Sequence, residues 1–243
     1  TKFSPEYYVG VGRALEQWYS LTGSRYEALG TDRKVYAFSA GTNQDITPIR
    51  ETATLVNAIT TTNTSATLTI SDSAHGADVG DFVTLSSVSA NVGGILSTVL
   101  DAEYEILTIT NASAYTILSS ATATSTVGPT ANCTANYQLN IGPSEQTFGY
   151  GWGSGTWSTS TWGTARATSN VTLDARLWSI NNWGEDLVIT QKDGGTYEWD
   201  TSGGMSGNRA TVIANAPTTS TLSMISTETR HVVCMGTETT IGS

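Results

Sequence analysis

Short runs of alternating apolar and polar residues dominate this chain, and Gly, Asn or Asp separates one run from the next. Residues 34–38 (Lys-Val-Tyr-Ala-Phe) precede a Gly-Thr-Asn turn, and residues 66–70 alternate as Ala-Thr-Leu-Thr-Ile. A period of two is typical of strands with one buried face. The helical spacing of apolar residues over 11–21 is interrupted by glycines on both sides, which oppose a helix. The pattern predicts an all-β protein.

The pattern changes twice along the chain, and this indicates three segments. Residues 51–141 have few aromatics and long Thr-rich alternations, and their five or six expected strands predict a small β-barrel or β-sandwich module. Similar strands flank both ends of this segment, as expected for a module inserted into a host fold. Residues 1–50 and 142–243 are expected to form the host.

The host segments resemble propeller blades in their order of strands and turns. Residues 177–200 give strand, turn, strand, turn and strand, and they close on an aromatic residue followed by Asp. Residues 34–38 and 230–237 open similar units. We therefore predict partial β-propeller-like blades that carry the inserted module. The candidate blade-core residues are Trp178, Trp183, Tyr197 and Trp199.

A propeller needs at least four blades of about 40 residues each. The host segments supply only two or three. We expect the chain to be part of a longer polypeptide, or to close its sheets with neighbouring subunits.

Composition narrows the classes of function. Only 13% of residues are charged, about half the usual share, while more than a quarter are Thr or Ser. The 11 Lys and Arg residues against 21 Asp and Glu give a net charge of -10. The basic residues do not cluster, so a groove-binding nucleic-acid protein is disfavoured. No apolar run reaches the roughly 18 residues of a membrane span, and no membrane anchor is expected.

Residues able to act as nucleophile or base are few. The chain has two His, and the one Ser between glycines, Ser154, lies in a low-complexity Gly/Trp segment without a following helix. We interpret His75 as a turn residue and His231 as a strand-end residue. Cys133 and Cys234 are about a hundred residues apart, and we expect two buried thiols rather than a bridge.

Pairs of carboxylates cleave glycans in many enzymes, so the Asp and Glu residues are candidates for catalysis. Adjacent positions in a strand point to opposite faces, whereas positions two apart share a face. Asp78 and Asp81 flank a turn but lack the density of oxygen ligands that calcium requires. The remaining candidates are Glu185, Asp186, Glu198 and Asp200, and we interpret them as turn or solvent-facing residues. No catalytic residue, metal site or cofactor is therefore predicted.

Three tryptophans five residues apart are the main surface candidates. Trp152, Trp157 and Trp162 lie in a Gly/Ser/Thr-rich stretch. They could form a sugar-stacking platform, or they could pack between strands or between subunits. Trp is enriched where two proteins bury surface together, and this favours the interface.

Three stretches carry a resemblance to a known family. They are residues 45–50 (Asp-Ile-Thr-Pro-Ile-Arg), residues 75–105, and residues 169–187 (Ser-Asn-Val-Thr-Leu-Asp-Ala-Arg-Leu-Trp-Ser-Ile-Asn-Asn-Trp-Gly-Glu-Asp-Leu). The chain resembles tailed-bacteriophage virion structural proteins, and among them the propeller-containing tail nozzle and stabilisation proteins of short-tailed phages. The Trp-rich stretch from Leu173 to Asp200 is the most specific part.

The resemblance implies an architectural role in the phage tail, without chemistry. A nozzle is a ring of identical subunits that prolongs the portal and adaptor. Its partners are copies of itself and other tail proteins, and genomic DNA passes through without specific binding. Two alternatives stay open: a receptor- or glycan-binding tail appendage, and a head decoration or fibre protein. A depolymerase or other enzyme is less favoured still.

Overall fold

The computed structural model describes residues 8–148 and 172–237, and within these ranges the chain is almost entirely β-structure. The strands are β1 (Gly12–Tyr19), β2 (Arg25–Thr31), β3 (Val35–Ser39), β4 (Thr42–Asp45), β5 (Ile49–Leu55), β6 (Ile59–Thr61), β7 (Thr67–Ser71), β8 (Phe82–Ser86), β9 (Glu103–Asn111), β10 (Ala114–Leu118), β11 (Val127–Thr130), β12 (Cys133–Gln138), β13 (Thr147–Phe148), β14 (Thr172–Leu173), β15 (Trp178–Trp183), β16 (Asp186–Gln191), β17 (Thr196–Trp199), β18 (Thr211–Val212), β19 (Leu222–Ile225) and β20 (Val232–Met235). Within the described ranges, helix is confined to α1 (Ser97–Leu100) and one 3-10 turn (Thr201–Gly203). The all-β prediction is confirmed.

The chain forms two compact units. Residues 47–141 make up the module unit, and the described residues on either side of it make up the host unit. Strands β1 to β4 form one antiparallel sheet of the host unit, and β15 to β18 form a second. Each sheet has four strands in sequence order, which is the make-up of a propeller blade. Their arrangement in a ring stays a prediction.

The two host sheets pack face to face because alternate residues of each are apolar. Tyr26 and Ala28 of β2 and Leu187 and Ile189 of β16 belong to one buried cluster that also contains Trp199. Stacked sheets interdigitate their inner side chains in this way. The two sheets therefore share one core.

Gly30 shows how close the two sheets come. A Cβ atom at this position would lie 2.7 Å from Cδ1 of Trp178, which is shorter than any normal contact. The Trp178 ring Nε1 also donates a hydrogen bond to the Thr31 carbonyl, at 2.6 Å. Any side chain at residue 30 would push the second sheet away.

Strands β19 and β20 form a hairpin that packs on the far face of the second sheet. The Thr190 hydroxyl donates to the Ser223 hydroxyl at 2.7 Å, and the Ser179 hydroxyl donates to the Ser223 carbonyl at 2.6 Å. Thr190 also bonds to the Thr196 hydroxyl. Thr190, Thr196 and Ser223 are all buried. The host unit is therefore a stack in the order first sheet, second sheet, hairpin.

The module unit is one eight-stranded antiparallel sheet in the order β11-β6-β7-β10-β9-β8-β12-β5. It is open, with β5 and β11 at its two edges, so of the two expected forms, barrel or sandwich, the barrel is not formed. Strand β9 explains the shape, because its first residues pair with β8 and the remainder pair with β10 across register shifts. The sheet changes direction along β9 and folds over itself into two layers, as in a sandwich.

A core contact demonstrates this fold-over. Strands β10 and β12 are three strand spacings apart, about 14 Å in a flat sheet. The hydroxyls of Tyr115 on β10 and Tyr137 on β12 nevertheless lie 3.0 Å apart, with ring centroids 6.1 Å apart. Residues of both layers belong to one buried cluster.

Both ends of the module unit leave from neighbouring strands. Strand β5 follows the first boundary, strand β12 precedes the second, and the two pair antiparallel from Leu55 with Cys133 to Ile49 with Gln138. The Leu139 amide then donates to the Pro48 carbonyl at 3.0 Å. This arrangement suits a module whose two ends both join the host chain.

Candidate functional site

The first end face is the outer side of the first host sheet. Leu15 and Tyr19 of β1 are 72% and 61% exposed, and Leu29 of β2 pairs with Leu15 across the strands. These three residues lie on the side opposite to Trp18 and Tyr26, which face the core. Gln17 and the ion-paired Arg25 and Glu27 lie on the same side as the three apolar residues. We call Leu15, Tyr19 and Leu29 the first end face.

Further exposed apolar residues lie before and after β1. Leu21, in the turn between β1 and β2, is 90% exposed, yet its backbone amide is held by Oε1 of Glu185 at 2.6 Å. The segment before β1 adds exposed Val9 and Val11, and the Val9 amide donates to the Tyr36 hydroxyl at 3.0 Å. The backbone contacts keep these apolar side chains in place without burying them.

The second end face is the outer side of the hairpin. The register pairs Leu222 with Met235 and Met224 with Val233, so these four side chains share one side. Each is between 41% and 47% exposed. The intervening Ser223 faces inward and is buried. We call Leu222, Met224, Val233 and Met235 the second end face.

The two end faces lie at opposite ends of the stack of sheets. Among the described residues of the host unit, the large exposed apolar side chains outside these two ends and outside the segment before β1, which also holds Tyr8, are Leu177 and Val212. Contiguous exposed apolar patches mark surfaces that bind other molecules. Their segregation to the two ends makes both faces candidate interaction surfaces.

The candidate blade-core residues occupy different environments. Trp199 is fully buried, and its ring packs edge-on against Trp18 and Tyr26 at centroid distances of 6.2 and 5.9 Å. Trp178 and Tyr197 are partly buried against the same core. Burial raises the pKa of the Tyr197 phenol.

Trp183 does not lie in the core between the two host sheets. It is half-buried on the side of the second sheet that carries the hairpin, and its Nε1 donates to the Arg230 carbonyl at 2.6 Å. Trp183 thus anchors the turn of the hairpin.

The acidic residues of the second sheet cap turns. An Asp186 oxygen accepts the Thr201 amide at 2.9 Å, and an Asp200 oxygen accepts the Ser202 amide at 2.7 Å. Hydrogen bonds from the hydroxyl and the amide of Ser202 lower the pKa of the Asp200 carboxyl. The pKa of Glu198 is raised, first by desolvation and then by the nearby Asp186 and Asp200 carboxylates. Asp186, Glu198 and Asp200 therefore lie close together, while Glu185 points to the β1–β2 turn.

The other chemistry-bearing residues of the module unit make structural contacts. Buried His75 accepts the Ala77 amide at Nδ1 at 3.1 Å, so its Nε2 carries the proton, 3.1 Å from the Asn111 carbonyl oxygen. Buried Asp81 accepts the Asp78 and Ile141 amides at 2.7 and 2.8 Å. Burial raises the pKa of the Asp81 carboxyl.

Cysteines and possible ligand groups add no site in the part of the chain that the structure describes. Cys133 is a buried free thiol whose pKa is raised to about 11 by burial, and Cys234 is a half-buried free thiol. Residues 8–148 and 172–237 contain no group of three or more His, Cys, Asp or Glu residues placed to hold a metal ion. No helix in these ranges has the length and hydropathy of a membrane span. His231 is exposed just before β20.

The sequence analysis predicted one interaction surface, that of the three tryptophans, and did not predict the second end face. Trp152, Trp157 and Trp162 lie outside the described residues. The second end face was not predicted, although residues 232–235 (Val-Val-Cys-Met) are apolar without alternation. An uninterrupted apolar strand is typical of strands covered on both faces. That signal predicts a partner on the outer side of the hairpin.

Comparison with solved structures gives a weak structural likeness. No protein-family model matches the chain, and no curated protein matches it. An endosialidase of phage phi92 is similar in structure, with a TM-score of 0.33 and 15% sequence identity. The similarity covers 82% of this chain and 29% of the endosialidase chain. The chain thus spans less than a third of that protein, and a likeness of this extent does not transfer activity.

Proposed function

We propose that this chain is a structural component of a bacteriophage tail, a nozzle- or tube-like ring that prolongs the portal and adaptor. The observation that carries the proposal is the host unit, a stack of antiparallel sheets with large apolar side chains exposed at both ends. A surface of this kind is costly in water and is removed from it by assembly. The work of such a protein is to bind neighbours.

The assignment to a phage virion rests on the sequence. Residues 45–50, 75–105 and 169–187 resemble short-tailed phage nozzle and stabilisation proteins. The four-stranded sheets β1–β4 and β15–β18 fit the blades that this resemblance implies. The low content of charged residues is also consistent with assembly, because charges buried at an interface must be desolvated.

The acidic balance supports a conduit for DNA. The net charge is -10, and the sequence pI is about 4.5. A lining rich in Lys and Arg would bind phosphates with release of counterions and would retard the passing strand. We therefore propose that the ring surrounds genomic DNA without gripping it. A ring whose lumen is lined by Lys and Arg would contradict this part of the proposal.

Localisation on the virion tests the function directly. Antibodies raised against the 243-residue chain, coupled to gold, are applied to intact virions, with pre-immune serum as the control. We expect label at the tail beside the portal, and subunits closed in a ring around the tail axis in cryo-electron microscopy. Symmetry that closes around the axis distinguishes a nozzle from a peripheral appendage.

Two other outcomes would overturn the proposal. Trimers at the periphery of the tail would indicate a receptor- or glycan-binding appendage, and label on the capsid surface would indicate a head decoration protein. Virions without any label would remove the virion assignment altogether.

A further inference from the structure

We infer that the loop between β7 and β8 (residues 72–81) is an acid-sensitive element of the module unit, which protonation of His75 releases from the end of β9 and the turn after it. We call residues 72–81 the β7–β8 loop. The inference goes beyond the proposed function and does not depend on it. It rests on the contacts of one buried imidazole and on the backbone conformation of the loop.

The two ring nitrogens of His75 have opposite hydrogen-bonding roles. Nδ1 accepts the Ala77 amide at 3.1 Å, and Nε2 lies 3.1 Å from the Asn111 carbonyl oxygen. The neutral ring with its proton on Nε2 makes both bonds. A second proton, on Nδ1, would place one N–H group against another and break the bond to Ala77. Because His75 is only 3% exposed, water does not replace that bond while the loop stays attached.

The neighbouring strands present a cation and two neutral phenols to this region. From β5, the Arg50 guanidinium donates to the His75 carbonyl at 2.7 Å and adds a positive charge nearby. From β10, the Tyr115 ring packs on the imidazole with ring centroids 5.2 Å apart. Tyr115 is bonded in turn to Tyr137 of β12, and burial raises the pKa of both phenols, so each keeps its proton.

The carboxylates of the β7–β8 loop are engaged by other groups. Asp72 accepts a tyrosine hydroxyl at 2.5 Å, and Asp81 accepts two backbone amides at 2.7 and 2.8 Å. An Asp78 oxygen lies 3.5 Å from the side-chain nitrogen of Asn140. None of the three carboxylates accepts a hydrogen bond from the His75 ring, whose Nε2 meets a backbone carbonyl. A charge on the ring would therefore lack a bonded anion.

The backbone beside His75 is strained, and the contacts of the loop hold it in place. Ala74 has a φ of 61°, in the left-handed region that residues with a Cβ atom rarely adopt. A residue keeps such a conformation only while the surrounding structure stabilises it. The Ala74 amide donates to the Ala112 carbonyl at 3.0 Å, directly beside the two ring bonds of His75. Loss of the ring bonds therefore favours release of residues 74–79, and release exposes Ala77, which is buried in the module core.

The direction of the pH effect follows from the protons that each form holds. A histidine in contact with water gains its second proton at about pH 6.5. Below this pH the released loop holds more protons than the attached loop. The free energy of release therefore decreases as the pH falls, and the release equilibrium increases by up to about tenfold per pH unit.

Amide hydrogen exchange of the full chain, followed by NMR between about pH 7.5 and about pH 5.0, tests the release. Protection factors, which correct for the intrinsic exchange rate at each pH, are compared at Ala77 in the loop and at Ile117 in the buried strand β10. The ¹⁵N shifts of the imidazole report the protonation of His75. His75→Asn supplies a side-chain oxygen that accepts an amide two residues on and does not titrate. His231→Asn is the matched control, because His231 is the other histidine of the chain and is exposed in the host unit.

We expect the protection factor of Ala77 to decrease at least about tenfold over this range in the unaltered chain and in His231→Asn. The His75 ring should become doubly protonated over the same range, while Ile117 keeps its protection. In His75→Asn the protection of Ala77 should stay constant, because the carboxylates of the loop are unchanged and the titrating ring is gone.

Three results would overturn the inference. The protection of Ala77 could stay constant in the unaltered chain, or His75→Asn could lose it to the same extent, which would indicate the carboxylates as the cause. The ring could also gain its second proton while Ala77 stays protected, which would show that the attached loop accommodates a charged imidazole. The first and third results are read from the unaltered chain, so the test stands even if His75→Asn fails to fold.

Discussion

Individual hydroxyl side chains explain how so much Thr and Ser fits into a folded interior. Thr190, Thr196 and Ser223 are buried between the second sheet and the hairpin, where they bond to one another. A buried hydroxyl costs stability only when it lacks a partner. The abundance of Thr in this chain therefore serves the core as well as the solvent-facing strands.

Glu198 is a residue for which a pH effect on stability is expected. Desolvation and the neighbouring Asp186 and Asp200 raise its pKa in the folded chain above the ordinary 4.5. Between 4.5 and the raised value the folded state holds more protons than the unfolded state, so the free energy of unfolding decreases as pH rises through this window. The Glu198→Gln variant cannot ionise. We expect it to be more stable than the unaltered chain at neutral pH, and the difference to shrink on acidification.

Urea unfolding at a series of pH values measures this difference. Glu228→Gln is the control for the chemical change itself, because Glu228 is exposed in the hairpin turn. A stability difference for Glu198→Gln that grows as the pH falls would contradict the expected sign.

At the scale of elements, a directed hydrogen-bond chain joins the two layers of the module sheet. The Tyr137 hydroxyl donates to the Asp72 carboxylate at 2.5 Å. Burial raises the pKa of both phenols, so each keeps its proton. Since Tyr137 uses its proton on Asp72, Tyr115 must donate to Tyr137. Two strands that are not neighbours in the sheet are thereby joined through their side chains.

This direction predicts unequal effects of two matched substitutions. Tyr137→Phe leaves the buried Tyr115 hydroxyl without its acceptor and Asp72 without this donor, and we expect a loss of about 1–3 kcal/mol. Tyr115→Phe leaves the bond to Asp72 intact, and we expect a smaller loss of about 0.5–1.5 kcal/mol. Equilibrium urea unfolding of the two variants compares the losses. Equal losses, or a larger loss for Tyr115→Phe, would contradict the proposed direction.

At the scale of the whole molecule, the chain consists of two units with separate cores. The module core is enclosed by the strands between Thr47 and Ile141, and its two ends leave from paired strands. A unit with its own core and adjacent ends can fold by itself. We expect residues 47–141, expressed alone, to give a dispersed NMR spectrum and one cooperative thermal transition.

Two neighbouring residues of β9 provide the controls for that experiment. Ile106 is fully buried, and Ile106→Asp should abolish the transition, because an unpaired charge in a core costs several kcal/mol. Leu107 is partly exposed on the other side of the strand, and Leu107→Asp should preserve the transition. A fragment without cooperative unfolding would show that the module needs the host.

Local patterns predicted much of the strand content, and long-range pairing accounts for what they missed. Residues 177–200 indicated three consecutive strands, and β15, β16 and β17 lie there. The barrel expectation failed because whether a sheet closes depends on pairing between distant strands, here on a register shift within β9. Ile180 of β15 packs in the core, whereas the candidate residue Trp183 lies on the opposite side of the same strand. The aromatic character of Trp183 did not by itself indicate which side of the strand it occupies.

The sequence by itself determined that this protein is built of strands, because the period of two, the Thr content and the turn residues act over a few neighbouring positions. Only the tertiary structure decided which sides of those strands are covered. Leu15 and Leu187 are equally apolar, yet one is exposed on an end face and the other is buried between sheets. Burial is a property of which sheet packs on which, and distant segments of the chain supply both partners.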